Sequence, residues 1–191
     1  MGNIDSAVKV QGALRGLLFG GIMLLVDILK IYYLAYWAKS PLATFIVLYP
    51  VYYILLFGIT LLFINSLKVK IGRYWSLKQA ITGIFIMLFI TTMIWNNGVA
   101  VFSEKINPQV AEKSHIAFVE TRKQAMVSQN TPTAKINEEV DNMNKTFEAG
   151  SNVTVAGFFR SLFVSAILVF AVSAVLGVLF KKEQPAQLTN N

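Results

Sequence analysis

GALRGLLFGGIMLLVDILKIYYLAYW, residues 12–37, decides the architecture. The stretch is long and apolar enough to cross a bilayer as a helix. At about 100° per residue, Gly12, Gly16, Gly20, Met23, Asp27, Lys30 and Leu34 fall within about 80° of one another. One narrow face thus carries a doubled GxxxG spacing and then a carboxylate and an amine one helical turn apart. Most of the remaining circumference is Leu, Ile, Val, Phe and Tyr. Such a helix turns its apolar side to lipid and its small and charged side to other helices. Tyr32, Tyr33, Tyr36 and Trp37 close the span with an aromatic belt.

Working outward, residues 1–11 read as a short polar lead, and the first helix is placed at about 12–38. The opening Met-Gly-x-x-x-Ser fits a myristoylation pattern, but a chain that inserts its own helices needs no acyl anchor. A cleaved signal peptide is not expected, because the apolar run is longer than an h-region and Asp27 and Lys30 interrupt it. Lys39-Ser40-Pro41 marks a turn into a second span at about 42–65, which Pro50 kinks or loosens. Lys68, Lys70, Arg73, Tyr74 and Trp75 form a basic, aromatic loop, and Ser76-Leu-Lys-Gln79 is a capping box opening a third span at about 77–101. Residues 103–152 are polar, a fourth span is placed at about 153–180, and the residues after Lys182 are expected to be disordered. The class is all-α: an integral membrane four-helix bundle in one domain, with an extra-membrane helical hairpin between the third and fourth helices.

The 103–152 segment is too patterned for a linker. Asn107-Pro108 opens a helix to about Ser128, and Asn130-Thr131-Pro132 breaks it. In the next helix Ile136, Val140, Met143 and Phe147 form one apolar stripe. That stripe either rests on the preceding outer helix or the top of the bundle, or it is a docking face for a partner protein.

Composition agrees with a membrane. The chain of 191 residues is 55% hydrophobic and 14% charged, well below the roughly 25% charge of a soluble domain. Its mean hydropathy is +0.56. The net charge of +7 is not spread as a nucleic-acid surface would be. Lys9, Arg15, Lys68, Lys70, Arg73, Lys78, Lys181 and Lys182 all fall on one side of the spans, and the opposite short loop carries only Lys39. The positive-inside rule then puts both termini in the cytoplasm and residues 103–152 outside, and the basic excess is explained by topology and anionic lipid. Nucleic acid is therefore not an expected partner, whereas membrane lipids are. The absence of cysteine excludes disulfides, thiolate catalysis and Cys-based metal sites. With His115 the single histidine, no metal or other cofactor is expected. There is no nucleophile elbow, HExxH, P-loop or carboxylate-dyad motif, so catalysis by this chain alone is not expected.

The candidate polar site is intramembrane. Asp27 lies about 15 Å below the aromatic end of the first helix, and Arg160 at most about 10 Å inside the fourth. An unpaired charge in hydrocarbon costs about 3 kcal/mol or more, so opposite charges at similar depth should pair. One reading is a structural Asp27–Arg160 bridge with Lys30 snorkelling outward; the other is an ion, proton or head-group site. Asn96, Asn97 and Thr92 approach the same depth from the third span. The glycine stripe is read as packing within the bundle or against an obligate partner, with Ala166, Ser173 and Gly177 on the fourth helix as its candidate counterpart. His115 is read as a solvated surface residue. Asn144-Lys-Thr146 and Asn152-Val-Thr154 match glycosylation sequons on the outer side.

Four helices with a large outer loop resemble tetraspanins, but those carry a Cys-Cys-Gly motif and loop disulfides, and this chain has no cysteine. Phe102-Ser-Glu-Lys-Ile106-Asn107-Pro108, followed by a helical outer segment and by Val175-Leu-Gly-Val-Leu-Phe-Lys-Lys182, is similar to another pattern. It resembles a family of small four-helix membrane proteins of unknown function, DUF4199, common in Bacteroidota. The resemblance covers nearly the whole chain. It implies a bacterial inner membrane, a periplasmic outer segment, and an accessory relation to envelope glycosyltransferases or assembly machinery. The expectation is a non-catalytic accessory or scaffold subunit of a larger membrane complex, held through the helix 1 face and the outer hairpin. The alternative is a small transporter or lipid-handling protein using Asp27, Lys30 and Arg160.

Overall fold

The computed structural model describes residues 2–38, 40–151 and 155–182. Lys39, the second sequon and the tail beyond Lys182 lie outside these residues. The elements are α1 (Gly2–Tyr36), α2 (Pro41–Ile46), a π-helical turn (Val47–Val51), α3 (Tyr52–Lys70), α4 (Leu77–Val101), a second π-helical turn (Phe102–Ile106), α5 (Pro108–Ser128), α6 (Thr133–Ser151) and α7 (Val155–Phe180). Among the described residues, four segments are long and apolar enough to span a membrane: Ile4–Tyr36, Pro41–Lys70, Leu77–Ile106 and Gly157–Phe180. The protein is an all-α membrane protein.

Several local signals act as their chemistry requires. Ser76 N donates to Gln79 Oε1 (3.0 Å) and Gln79 N to Ser76 Oγ (3.3 Å), the reciprocal capping box that starts α4. Asn107 Oδ1 accepts from Val110 N (3.3 Å), and Pro108, which has no N–H to lose, begins α5. Pro50 sits inside the first π turn, where the wider turn accommodates the ladder bond that proline cannot make. One boundary differs from the sequence reading. Residues placed in a polar lead are helical from Gly2, because the lead is amphipathic and has something to pack on. Val8 is buried and its methyl reaches Gly83, while Gln79 Nε2 donates to Asp5 Oδ1 at 3.0 Å.

Residue packing defines two compact units, and α1, α3, α4 and α7 contribute to both. The first comprises the described parts of Met1–Gly21, Gly58–Ile94 and Phe159–Asn191. Its core is Ile64, Leu67, Trp75, Ala80, Ile84 and Met87. Gly72 (φ 100°) and Arg73 (φ 69°) turn the chain out of α3, and Arg73 N closes on Lys68 O at 2.9 Å. Trp75 then clasps the end of α7: its backbone forms an isolated antiparallel bridge with Lys182, and Nε1 donates to Phe180 O at 2.7 Å.

The glycine stripe is the seam of this unit. A Cβ on Gly12 would lie 2.9 Å from Gly83 O, on Gly16 2.7 Å from Met87 O, and on Gly20 2.9 Å from Ile94 Cβ. Thr91 Oγ1 sits within 3.2 Å of Gly16 O and 2.9 Å of Met87 O, filling the gap that the missing side chains leave. The counterpart of the stripe is therefore α4. The small residues of α7 expected there pack elsewhere: a Cβ on Gly177 would lie 2.5 Å from Ile81 Cγ1, Ser173 is buried with its hydroxyl on Val169 O (2.6 Å), and Ala166 is half-buried. The reason is backbone approach. Gly83 and Ala80 make α4 the helix that others can come close to.

The second unit comprises Ile22–Phe57 and the described residues of Trp95–Phe158. Here α5 packs on α2 and on the π turn before it, and α6 packs back on α5. Asn107 Nδ2 donates to Tyr32 Oη (3.2 Å), and Tyr32 also meets Phe102, whose side chain is buried. The α6 stripe rests on α5: Ile136 is buried, Val140 and Met143 are half-buried, and Phe147 stacks on His115 at 4.1 Å.

Gly16→Ala should lower the melting temperature in detergent, since overpacking a close seam costs about 1–3 kcal/mol. Gly21→Ala, whose added Cβ meets nothing within 4 Å, should leave it unchanged or raise it. Equal melting of both variants would contradict the seam.

Candidate functional site

The intramembrane carboxylate is held from two helices of the second unit. Asp27 is buried on α1. The Lys30 ammonium, one turn further along, ion-pairs with Asp27 Oδ1, and the Trp95 indole N–H on α4 donates to Oδ2. The Lys30 ammonium also lies 4.3 Å from the centre of the Tyr52 ring. A carboxylate with a cation and an indole donor, and an ammonium with a carboxylate and a π-face, is a locally neutral arrangement suited to low dielectric.

The sequence had pointed to Arg160 as the partner of Asp27. The i,i+3 spacing on one helix brings Lys30 to the carboxylate with no tertiary arrangement to achieve, so the local amine takes the place. Arg160 is exposed on α7, and Asn96 is exposed on α4 one residue beyond the side chain that binds Asp27. Trp95 is not among the residues that the sequence pattern singles out at this depth. Its position at the depth of Asp27 was the available signal, since a buried indole N–H needs an acceptor.

Beside this pair opens a cavity of about 440 Å³, lined by Lys30, Ile31 and Leu34 of α1, Leu48, Tyr49, Tyr52 and Tyr53, Ser103, and Ala111, Ser114, His115, Phe118 and Phe147 of the α5–α6 hairpin. Its walls are mostly apolar and aromatic, with the Lys30 side chain 28% exposed. Ser103, Ser114 and His115 supply further polar groups. Pockets of this size and lining suit a small molecule or part of a lipid. A second cavity of about 550 Å³ shares Ser103, His115 and Phe147 with the first and is also lined by Glu104, Lys105, Glu112, Asn144 and Glu148. A third, of about 410 Å³, again uses His115 and Phe147, together with Phe118, Met143 and Thr146.

His115 is thus no bystander on the surface. It is half-buried, stacks on Phe147 with the planes 7° apart, and has Nε2 2.9 Å from Asn144 Oδ1. Its role as a shared wall depends on the fold of α6 onto α5, which no local pattern announces. Among the described residues no group of three or more His, Asp or Glu is placed to hold a metal ion.

Breaking a buried pair by removing one partner costs about 3–5 kcal/mol, whereas removing both together costs much less. Asp27→Leu alone should therefore destabilise the detergent-solubilised protein more than Asp27→Leu with Lys30→Met. Simple additivity in thermal or denaturant unfolding would show that the two groups are not coupled.

No curated protein and no solved structure matches this chain. The profile of the family described as "Protein of unknown function (DUF4199)" matches residues 15–182, which takes in the first span from residue 15 onward, the other three spans and the hairpin with its cavities. By that match the chain belongs to the DUF4199 family.

Proposed function

We propose that this chain is a non-catalytic membrane protein that binds a lipid-like amphiphile in the cavity beside Lys30. The observation that carries the reading is the cavity itself. It runs from an ammonium within the first span, through apolar and tyrosine walls, to the polar hairpin residues Ser114 and His115. A purely aqueous solute would have no use for Leu34, Leu48 and Phe118, and an alkane none for Lys30. The positive-inside count favours cytoplasmic termini with the α5–α6 hairpin on the opposite side, which is the periplasm if the membrane is the bacterial inner membrane that the family resemblance implies.

Of the two faces first expected to hold a partner, the glycine stripe meets α4, and the α6 stripe rests on α5 through the buried Ile136 while Phe147 stays exposed. An accessory subunit is the second reading. The second span favours it, because none of the residues in its most apolar window is buried. That leaves a whole helix face for lipid or for a larger membrane protein.

Purification in mild detergent, followed by native mass spectrometry, should reveal retained lipid. Leu48→Trp and Ala111→Phe fill the cavity from different walls, and each should reduce the lipid-bound fraction at least about tenfold while the melting transition persists. Unchanged lipid occupancy in both folded variants would refute the cavity as the site. A stoichiometric protein partner in place of lipid would favour the accessory reading.

A further inference from the structure

The two larger cavities of the second unit adjoin but differ in charge. Lys30, whose ammonium also pairs with Asp27 behind the wall, and His115 are the basic groups lining the first, and no carboxylate is among its lining residues. The second is lined by Glu104, Glu112 and Glu148 against Lys105, with His115 on the shared wall. Depth follows the same order. Lys30 lies within the first span, Glu104 in the last turn of the third, and Glu112 and Glu148 on the hairpin.

We infer that the amphiphile is a zwitterionic phospholipid, with its phosphate toward Lys30 and the Ser103–His115 wall and its ammonium in the acidic cavity beyond. This rests on the amphiphile reading above and names the ligand class for that site. The chemistry follows from the order of charges. A phosphodiester is an acceptor-only anion, and an ammonium and hydroxyls are its natural donors. An ammonium carried further out on the same headgroup meets three carboxylates and the ring of Phe147, which adds a cation–π face. An anionic headgroup with the same acyl chains would satisfy the first cavity and bring no cation to the carboxylates of the second. A simple organic cation would satisfy the second and leave the apolar basin empty.

The test uses the full-length protein in detergent, with synthetic phosphatidylethanolamine and phosphatidylglycerol of identical acyl chains, read by native mass spectrometry as competing bound populations. Partly exposed charge pairs of this kind contribute up to about 1 kcal/mol together, so phosphatidylethanolamine should be preferred about fivefold. Glu104→Gln, Glu112→Gln and Glu148→Gln combined should bring the ratio near one without loss of phosphatidylglycerol binding. The side chains are at least partly exposed, so folding should survive; Glu112→Gln alone, on an exposed site, should give a partial shift in the same direction. Equal binding of the two lipids, or a preference for phosphatidylglycerol, overturns this inference and leaves the amphiphile reading standing. Binding of neither lipid overturns both. A preference that survives the triple substitution shows that the acidic cavity does not read the ammonium, and overturns the assignment.

Discussion

Close approach of α1 and α4 is the constraint on which the rest depends. In the first unit Gly12, Gly16 and Gly20 have α4 backbone or β-carbons where their own side chains would be. In the second, Gly98 is packed under Leu24, and an added Cβ there would sit 2.6 Å from Leu24 Cδ2. Lipid is as apolar as leucine, so helices in a bilayer do not associate to hide apolar surface. They associate through dispersion at short range and through polar groups with no better partner, and both require small residues at the contact. The same approach lets the Thr91 hydroxyl reach Gly16 O and the Trp95 indole reach Asp27.

Given that approach, an intramembrane carboxylate becomes affordable. Asp27 has a cation from its own helix and a donor from its neighbour, and Lys30 has a carboxylate and an aromatic face. The pair is stable enough to sit beside a cavity instead of being packed over. The cavity is closed on its polar side by the hairpin, where α5 lies on α2 and α6 returns onto α5. Its lining changes from Leu34 and Leu48 to Ser114 and His115 over one continuous surface.

The hairpin also shows how an apolar stripe can mislead. Ile136, Val140, Met143 and Phe147 lie on a helix otherwise made of polar residues, and such a pattern fits an external partner as well as an internal one. Residues Asn130 to Pro132 make the turn so short that α6 must lie along α5, and Ile136 is consumed there. Phe147, at the end of the stripe away from the turn, is the most exposed of the four, and it stacks on His115 and borders the cavities.

By itself the sequence determined the class, the four spans and the hairpin, because those depend on quantities local in the chain. Apolar run length, the Ser76–Gln79 capping box, Asn107-Pro108 at a helix start and the basic residues beside the spans act over a few residues each. The Asp27–Lys30 pairing was also within reach, being set by one helical turn. Tertiary structure alone decided which helix the glycine stripe meets, which indole holds Asp27, and that Lys30, Tyr52, Ser103 and His115 line one cavity. Those residues are brought together from distant points in the chain by packing geometry. A helical wheel gives the face on which a residue lies, and the arrangement of helices gives what that face meets.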